Sequence, residues 1–349
     1  MSEGGGALPA RANGRDAVGI ILVIVSACGF GSGALFAKSV YGAGVDWMTL
    51  LTWRFFIAAC ASWLWLLAFP RHRAGLRRLS RRQVLVLVAL GIFYVGNSAT
   101  YFAALDTQVP ASLAALIVYI YPALVAVLSL RFGRRLQGRR AWVALAIACV
   151  GVALAVGGIQ AGAVPPLLGL ELAVASPFIY AVWIILAARL GGERPDRGAG
   201  LPPQDSETTT DPETTEPAPT AALLTTATWA VFWLALLATG RSTDPTTIPA
   251  AAWPGIIGIG LVSTALAIQS FYAGSRRIGA ANASLLSTVE PVYTITLATI
   301  LFGESLTAVQ LLGGLMVIGG VLLAQTARPA VAEAVLAVAE PAEAKPAPG

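Results

Sequence analysis

The chain has 349 residues, of which 56% are hydrophobic and only 12% are charged, and its mean hydropathy is +0.73. That balance excludes an ordinary water-soluble domain. A net charge of +5 would suit a nucleic-acid binder, but the basic residues sit in short clusters between apolar runs, a distribution that reads as orientation in a bilayer, with no nucleic-acid partner.

In chain order, apolar segments of about 20 residues, the length that crosses a membrane, cover 17–40, 47–69, 84–105, 112–130, 141–158, 168–190, 221–239, 256–275, 280–302 and 307–325. Hydrocarbon offers no partners for free backbone groups, so each segment is expected to be a helix. The fold expected is an all-α membrane protein with ten transmembrane helices. The first segment carries Lys38 near its end and lacks a small-residue cleavage site, so it reads as a retained helix and not a signal peptide. Residues 1–16 and 326–349 read as disordered tails. Residues 191–220, rich in Pro, Thr, Gly and acid, read as a disordered cytoplasmic loop.

Orientation follows from the basic residues. With the N-terminus in the cytoplasm, every Arg and Lys except Lys38, Arg54 and Arg241 falls on the inner side, so both termini are expected inside. This gives a multi-pass protein of the plasma or inner membrane.

Two stretches repeat one pattern. Tyr101-Phe102-Ala103-Ala104-Leu105, Tyr121-Pro122, Phe132-Gly133 and Gly151 are matched in order by Phe271-Tyr272-Ala273-Gly274, Glu290-Pro291, Phe302-Gly303 and Gly319-Gly320. Equivalent turns differ in charge. Asp106 follows the third span where Arg276-Arg277 follow the eighth. Arg134-Arg135 follow the first Phe-Gly turn where Glu304 follows the second. The halves, 17–158 and 168–325, therefore read as inverted five-helix repeats, an arrangement that places a shared site near the midplane and permits alternating access.

The run Ala283-Ser284-Leu285-Leu286-Ser287-Thr288-Val289-Glu290-Pro291, followed by Phe302-Gly303-Glu304-Ser305-Leu306-Thr307 and Gly313-Gly314, resembles the EamA type of the drug/metabolite transporter superfamily. The first half is similar in Phe102-Ala103-Ala104-Leu105, Tyr121-Pro122 and Gly151-Val152, with Arg54 where the family tends to carry an arginine. Two features depart from the family pattern: Arg134-Arg135 in place of a Glu-Arg pair, and a longer insertion after Leu190. The resemblance implies a proton- or gradient-coupled exporter, or a facilitative carrier, of small metabolites such as amino acids. A flippase for a lipid or a lipid-linked sugar fits the same superfamily.

Polar side chains inside the spans are costly and point to the site. Glu290 falls about 15 Å deep, near the middle of a hydrocarbon core about 30 Å thick, where a carboxylate suits the uptake and release of a proton. Its alternative role is to pair with Arg54 as part of the fold. Pro291 removes a backbone donor and frees the carbonyl of residue 287; Pro122 is its counterpart in the first repeat. Tyr94, Asn97 and Tyr101 share one helix face, as do Ser176, Tyr180 and Trp183; Gln269 and Tyr272 form a shorter pair, and Ser112, Tyr119 and Tyr121 add hydroxyls. Such faces suit a small amphipathic or zwitterionic solute, with π-faces for an ammonium group. Arg54 either holds a substrate carboxylate or makes a structural charge pair.

No metal or cofactor is expected. His72 is the one histidine, and Cys28, Cys60 and Cys149 lie in apolar runs without ligand spacing. Glu290 is the one deep acid, so no catalytic pair is available and an enzyme is not expected. The partners expected are a small-molecule solute and the lipid bilayer, with the protein a monomer or a homodimer through glycine-rich fifth and tenth spans.

Overall fold

Helices account for every regular element among the described residues, which in this computed structural model are 14–130, 138–157, 165–190, 217–278, 283 and 286–325. Residues 1–13 and 326–349, the body of the 191–220 loop and the Phe132-Gly133-Arg134-Arg135 turn lie outside the described residues. So does the side chain of Tyr272.

Helix α1 spans Gly14–Gly42, and α2 spans Trp47–Ala68. Asp46 starts α2 by accepting from the Met48 and Thr49 amides, so two of the donors that any helix start leaves over are satisfied. A short helix α3, Pro70–Arg78, then occupies part of what the sequence reads only as a basic cluster. Proline at its first turn is compatible with helix because that turn needs no amide donor. Ser80 and Gln83 cap each other at the start of α4, Arg81–Asp106.

The fourth apolar segment is two helices, α5 (Ala111–Val118) and α6 (Tyr121–Leu130). Pro122 has no amide to donate back to Val118, so the ladder is interrupted there. Next come α7 (Gly138–Gly157), α8 (Leu167–Leu190) and α9 (Pro217–Ala238). Helix α9 begins inside the stretch that the sequence assigns to loop. The eighth segment is α10 (Trp253–Gly260), a π-helical turn over Leu261–Leu266, and α11 (Ala267–Ile278). Last are α12 (Val289–Phe302), closed by Gly303 at φ +65°, and α13 (Ala308–Gln325).

Six of these helical stretches are long and apolar enough to cross a membrane, and four shorter apolar ones, at Ala111–Val125, Trp142–Ala155, Val289–Phe302 and Ala308–Leu323, accompany them. Large apolar side chains such as Leu64, Leu85, Leu167, Ile300 and Leu315 are strongly exposed. In water such a surface would be an aggregation hazard; in lipid it costs nothing. This is an integral, multi-pass membrane protein.

The helices pack in pairs. α1 lies on α11, the π turn and α12; α2 lies on α9; α4 lies between α8 and α9; α7 lies on α13. The last pair is in close backbone contact: a Cβ added at Gly151 would stand 2.6 Å from the Gly313 carbonyl oxygen, and one at Gly320 would stand 2.7 Å from that of Ala144. Without a hydrophobic driving force in lipid, such small-residue seams supply dispersion contact that larger side chains would block. The same glycines that the sequence offered for a dimer seam are used inside one chain.

Candidate functional site

Packing of α4 against α8 brings the two aromatic stripes together. Ser176 donates to Asn97 Oδ1 at 2.9 Å, and the Trp183 indole donates to the Leu90 carbonyl at 2.9 Å. These two bonds fix the register of the helices. Across the seam the Tyr94 ring lies 5.2 Å from Trp183 and 6.3 Å from Tyr180, while Tyr180 stacks on Trp183 at 5.9 Å. From α6, Tyr121 meets Tyr180 edge-on at 4.7 Å, and Tyr119 follows at 5.8 Å from Tyr121. Edge-to-face geometry aims the positive ring edge at a negative face, the favoured arrangement for aromatic pairs.

Glu290 enters this region from the first turn of α12. It has no cationic partner among the described residues. Its charge reaches Tyr101, Tyr119 and Tyr121 as well as Cys28. Pro291, with no amide of its own, leaves the Ser287 carbonyl free of the usual helical partner, and the Tyr119 hydroxyl donates to that carbonyl. The proline of the ninth span thus ties it to the fourth. Against α1 the fit is close: Thr294 donates to the Gly31 carbonyl at 3.1 Å, and a Cβ at Gly31 would stand 2.6 Å from Thr294 Oγ1.

Arg54 is not paired with Glu290, in contrast to one of the two roles the sequence allows. It is 6% exposed, and its Nε donates to Thr264 Oγ1 at 2.9 Å. Thr264 in turn donates to the Ile259 carbonyl, five residues back, as a π turn permits. The guanidinium lies 4.9 Å from the Phe55 ring centroid and 4.6 Å from that of Phe102. Tyr94, Tyr41 and Tyr101 are close enough to interact with its charge, and Tyr101 interacts with that of Glu290 as well. Gln269 lies on α11 with Nε2 buried and without a hydrogen-bond partner, apart from the aromatic cluster.

Sequence reasoning gave little weight to a second constellation at one end of the bundle. Lys38, from the last turns of α1, forms an ion pair with Glu304, just beyond α12. The Glu304 carboxylate also accepts from the Ala111 amide at 3.1 Å, the Ser112 amide at 2.9 Å and the Ser112 hydroxyl at 2.7 Å. It therefore caps α5 from 192 residues away. Burial alone would raise the Glu304 pKa, but the hydrogen bonds from Lys38 and Ser112 outweigh it and hold the carboxyl below its ordinary value. A second pair joins Arg241 to Asp46. Sequence reasoning also missed a cluster in which Trp53 meets Phe56, Trp233 and Trp253 at 5.4–6.0 Å and Trp229 joins at 5.6 Å from Phe56 and Trp233. The i, i+4 spacing of Trp229 and Trp233 on α9 was the available signal.

A polytopic helical protein with tyrosines, a carboxylate and a guanidinium among its packed helices has the features of a membrane transporter. The profile of the EamA-like transporter family matches residues 17–157 and 213–326, and the chain belongs to that family. An uncharacterized transporter from Archaeoglobus fulgidus is 37% identical over 73 residues, a match that covers 21% of this chain and 27% of that one. A protein of known crystal structure shares the fold at a TM-score of 0.58 with 18% identity, over 91% of this chain and 99% of that one.

Proposed function

We propose that this protein is a secondary transporter of the plasma or inner membrane that exports small metabolites such as amino acids by alternating access, with Glu290 taking up and releasing a proton during the cycle. Ten spans would form two inverted five-helix halves, 17–158 and 168–325, with both termini in the cytoplasm. Helix pairing supports a two-fold relation between the halves, and five spans in each half would make that relation inverted. Exchange of the halves maps the contact of α1 with α11 onto that of α8 with α4, and maps the α2–α9 and α7–α13 contacts onto themselves. In this orientation the Lys38–Glu304 and Asp46–Arg241 pairs lie at the outer end. The use of the α7 and α13 glycines within the chain favours a monomer over a homodimer.

The observation that carries the reading is Glu290 itself: a carboxylate inside an apolar span, without a counter-charge among the described residues, beside the tyrosines of two other spans, Tyr101 on the third and Tyr119 and Tyr121 on the fourth. Ionisable groups in such places mark solute and proton pathways. Tyr94, Tyr101, Tyr119, Tyr180 and Trp183 would line the solute path, and Asn97 would hold the α4–α8 seam beneath it. A flippase for a lipid or lipid-linked sugar is the second reading. It is favoured by a mostly apolar cavity of about 320 Å³ between α2, α4 and α8, lined by Trp47, Ala99, Ala103, Leu168 and Leu172, with Thr100, Asp106 and Thr107 as its polar members.

Efflux of labelled amino acids and related metabolites from cells expressing the protein, against cells carrying the empty vector, tests the proposal. Faster efflux of at least one small polar solute is expected. No efflux of any solute, together with scrambling of a labelled lipid in proteoliposomes, would replace the exporter with the flippase.

A further inference from the structure

Arg54 is the buried charge that the transport cycle above leaves unused. It is 6% exposed. Its Nε is occupied by Thr264 and its plane rests on Phe55 and Phe102, yet its Nη1 is buried with no hydrogen-bond partner. A guanidinium held out of water needs counter-charge and acceptors, and an unmet donor of this kind is strongly destabilising. No carboxylate among the described residues provides them. Glu304 is taken by Lys38, Asp46 by Arg241, and Glu290 does not reach Arg54. The aromatic faces supply only a modest attraction.

The backbone around the guanidinium is also unusual. The π turn at Leu261–Leu266 interrupts the eighth span where Thr264 meets Arg54. Such turns displace a side chain from its regular helical position and occur disproportionately at functional sites. Arginine is the side chain suited to a planar anion, because two of its donors can grip both oxygens of a carboxylate.

We infer that Arg54 is the carboxylate-binding subsite of the carried solute, so that the transported class is small organic acids, amino acids foremost, with a free carboxylate. The inference rests on the transporter reading. The carboxylate supplies the acceptor that Nη1 lacks and the countercharge that the fold withholds. An ammonium on the same solute would find a π-face among Tyr94, Tyr41 and Tyr101, the tyrosines that surround the Arg54 charge. Thr264 holds the fork in place, so it is a positioning residue.

The test uses purified full-length protein in lipid nanodiscs and measures binding of the amino acids, their α-amides and the matching decarboxylated amines by ligand-induced thermal stabilisation. At least one amino acid is expected to bind, with its amide and amine weaker by about 30-fold or more, as is usual when one member of a buried charge pair is lost. Arg54→Gln should abolish the preference for acid over amide, and Arg54→Lys should keep it at reduced affinity. The wild-type ligand series stands even if the Arg54→Gln protein does not fold. Equal binding of acid and amide by the wild type would overturn the inference. Failure of every carboxylate-bearing solute to bind, with flux of a carboxylate-free solute in proteoliposomes, would overturn the subsite and leave the transporter. Absence of flux for all solutes would overturn both.

Discussion

The charges at one end of the bundle and those at its middle are treated in opposite ways. At the end, Lys38 meets Glu304, Arg241 meets Asp46, and Glu304 further satisfies the start of α5. At the middle, among the described residues, Glu290 has no cation beside it and Arg54 has no anion. Desolvation makes unpaired charge most expensive at the middle, so stability alone would give the reverse arrangement. The contacts at the end are complete within the described residues, whereas in the middle Arg54 Nη1 and the Glu290 carboxylate are left without a charged partner among them.

The largest effect should come from breaking the paired end. Glu304→Gln removes the countercharge of Lys38 and weakens the cap on α5, and should cost roughly 2–4 kcal/mol, read as a lower thermal midpoint in detergent. The pH dependence has a definite sign. Because the native Glu304 pKa is depressed, its stabilisation is present above the ordinary glutamate value of 4.5 and is lost as pH falls through the lower native value. The midpoint difference between wild type and Glu304→Gln should therefore be constant near neutrality and shrink in acid. A difference that grows in acid would break the comparison.

Gly151→Ala sharpens it from another side, because it disturbs packing without touching charge. The new Cβ would stand 2.6 Å from the Gly313 carbonyl oxygen, so α7 and α13 must separate, at about 1–3 kcal/mol. Thermal melting should show the loss while the acid dependence stays as in the wild type. Asp46→Asn should matter least. Its pair with Arg241 is 45% and 35% exposed, so screening by water and salt limits the loss to about 1 kcal/mol, measurable as a small, salt-sensitive shift in the melting midpoint.

Much of the fold was legible because lipid imposes simple rules. Apolar length marked the spans, and Pro291 marked the freed carbonyl at Ser287, whereas the break at Tyr121-Pro122 went unread because the whole of 112–130 was expected to be one helix. The π turn at Leu261–Leu266 was not legible, since nothing in its composition separates it from ordinary helix; it is stabilised by tertiary partners such as Arg54. Helix α3 was hidden for a different reason: clustered arginines repel one another and read as loop. In the site, the stripes on α4 and α8 were visible from helical spacing, but their hydrogen bonds were not. The Lys38–Glu304 pair joins residues 266 apart, a relation that only packing creates. The isolation of Arg54 from Glu290 was equally invisible, because depth in the membrane says nothing about distance across it.

The central claim is that Glu290 carries the proton of a solute-exporting cycle, and reconstituted protein tests it most directly. Proteoliposomes of wild type and Glu290→Gln would be compared for uptake of the exported solute driven by a proton gradient and for solute exchange without a gradient. The account predicts that Glu290→Gln loses gradient-driven uptake to background while exchange continues. Gradient-driven uptake by Glu290→Gln at the wild-type rate would contradict it.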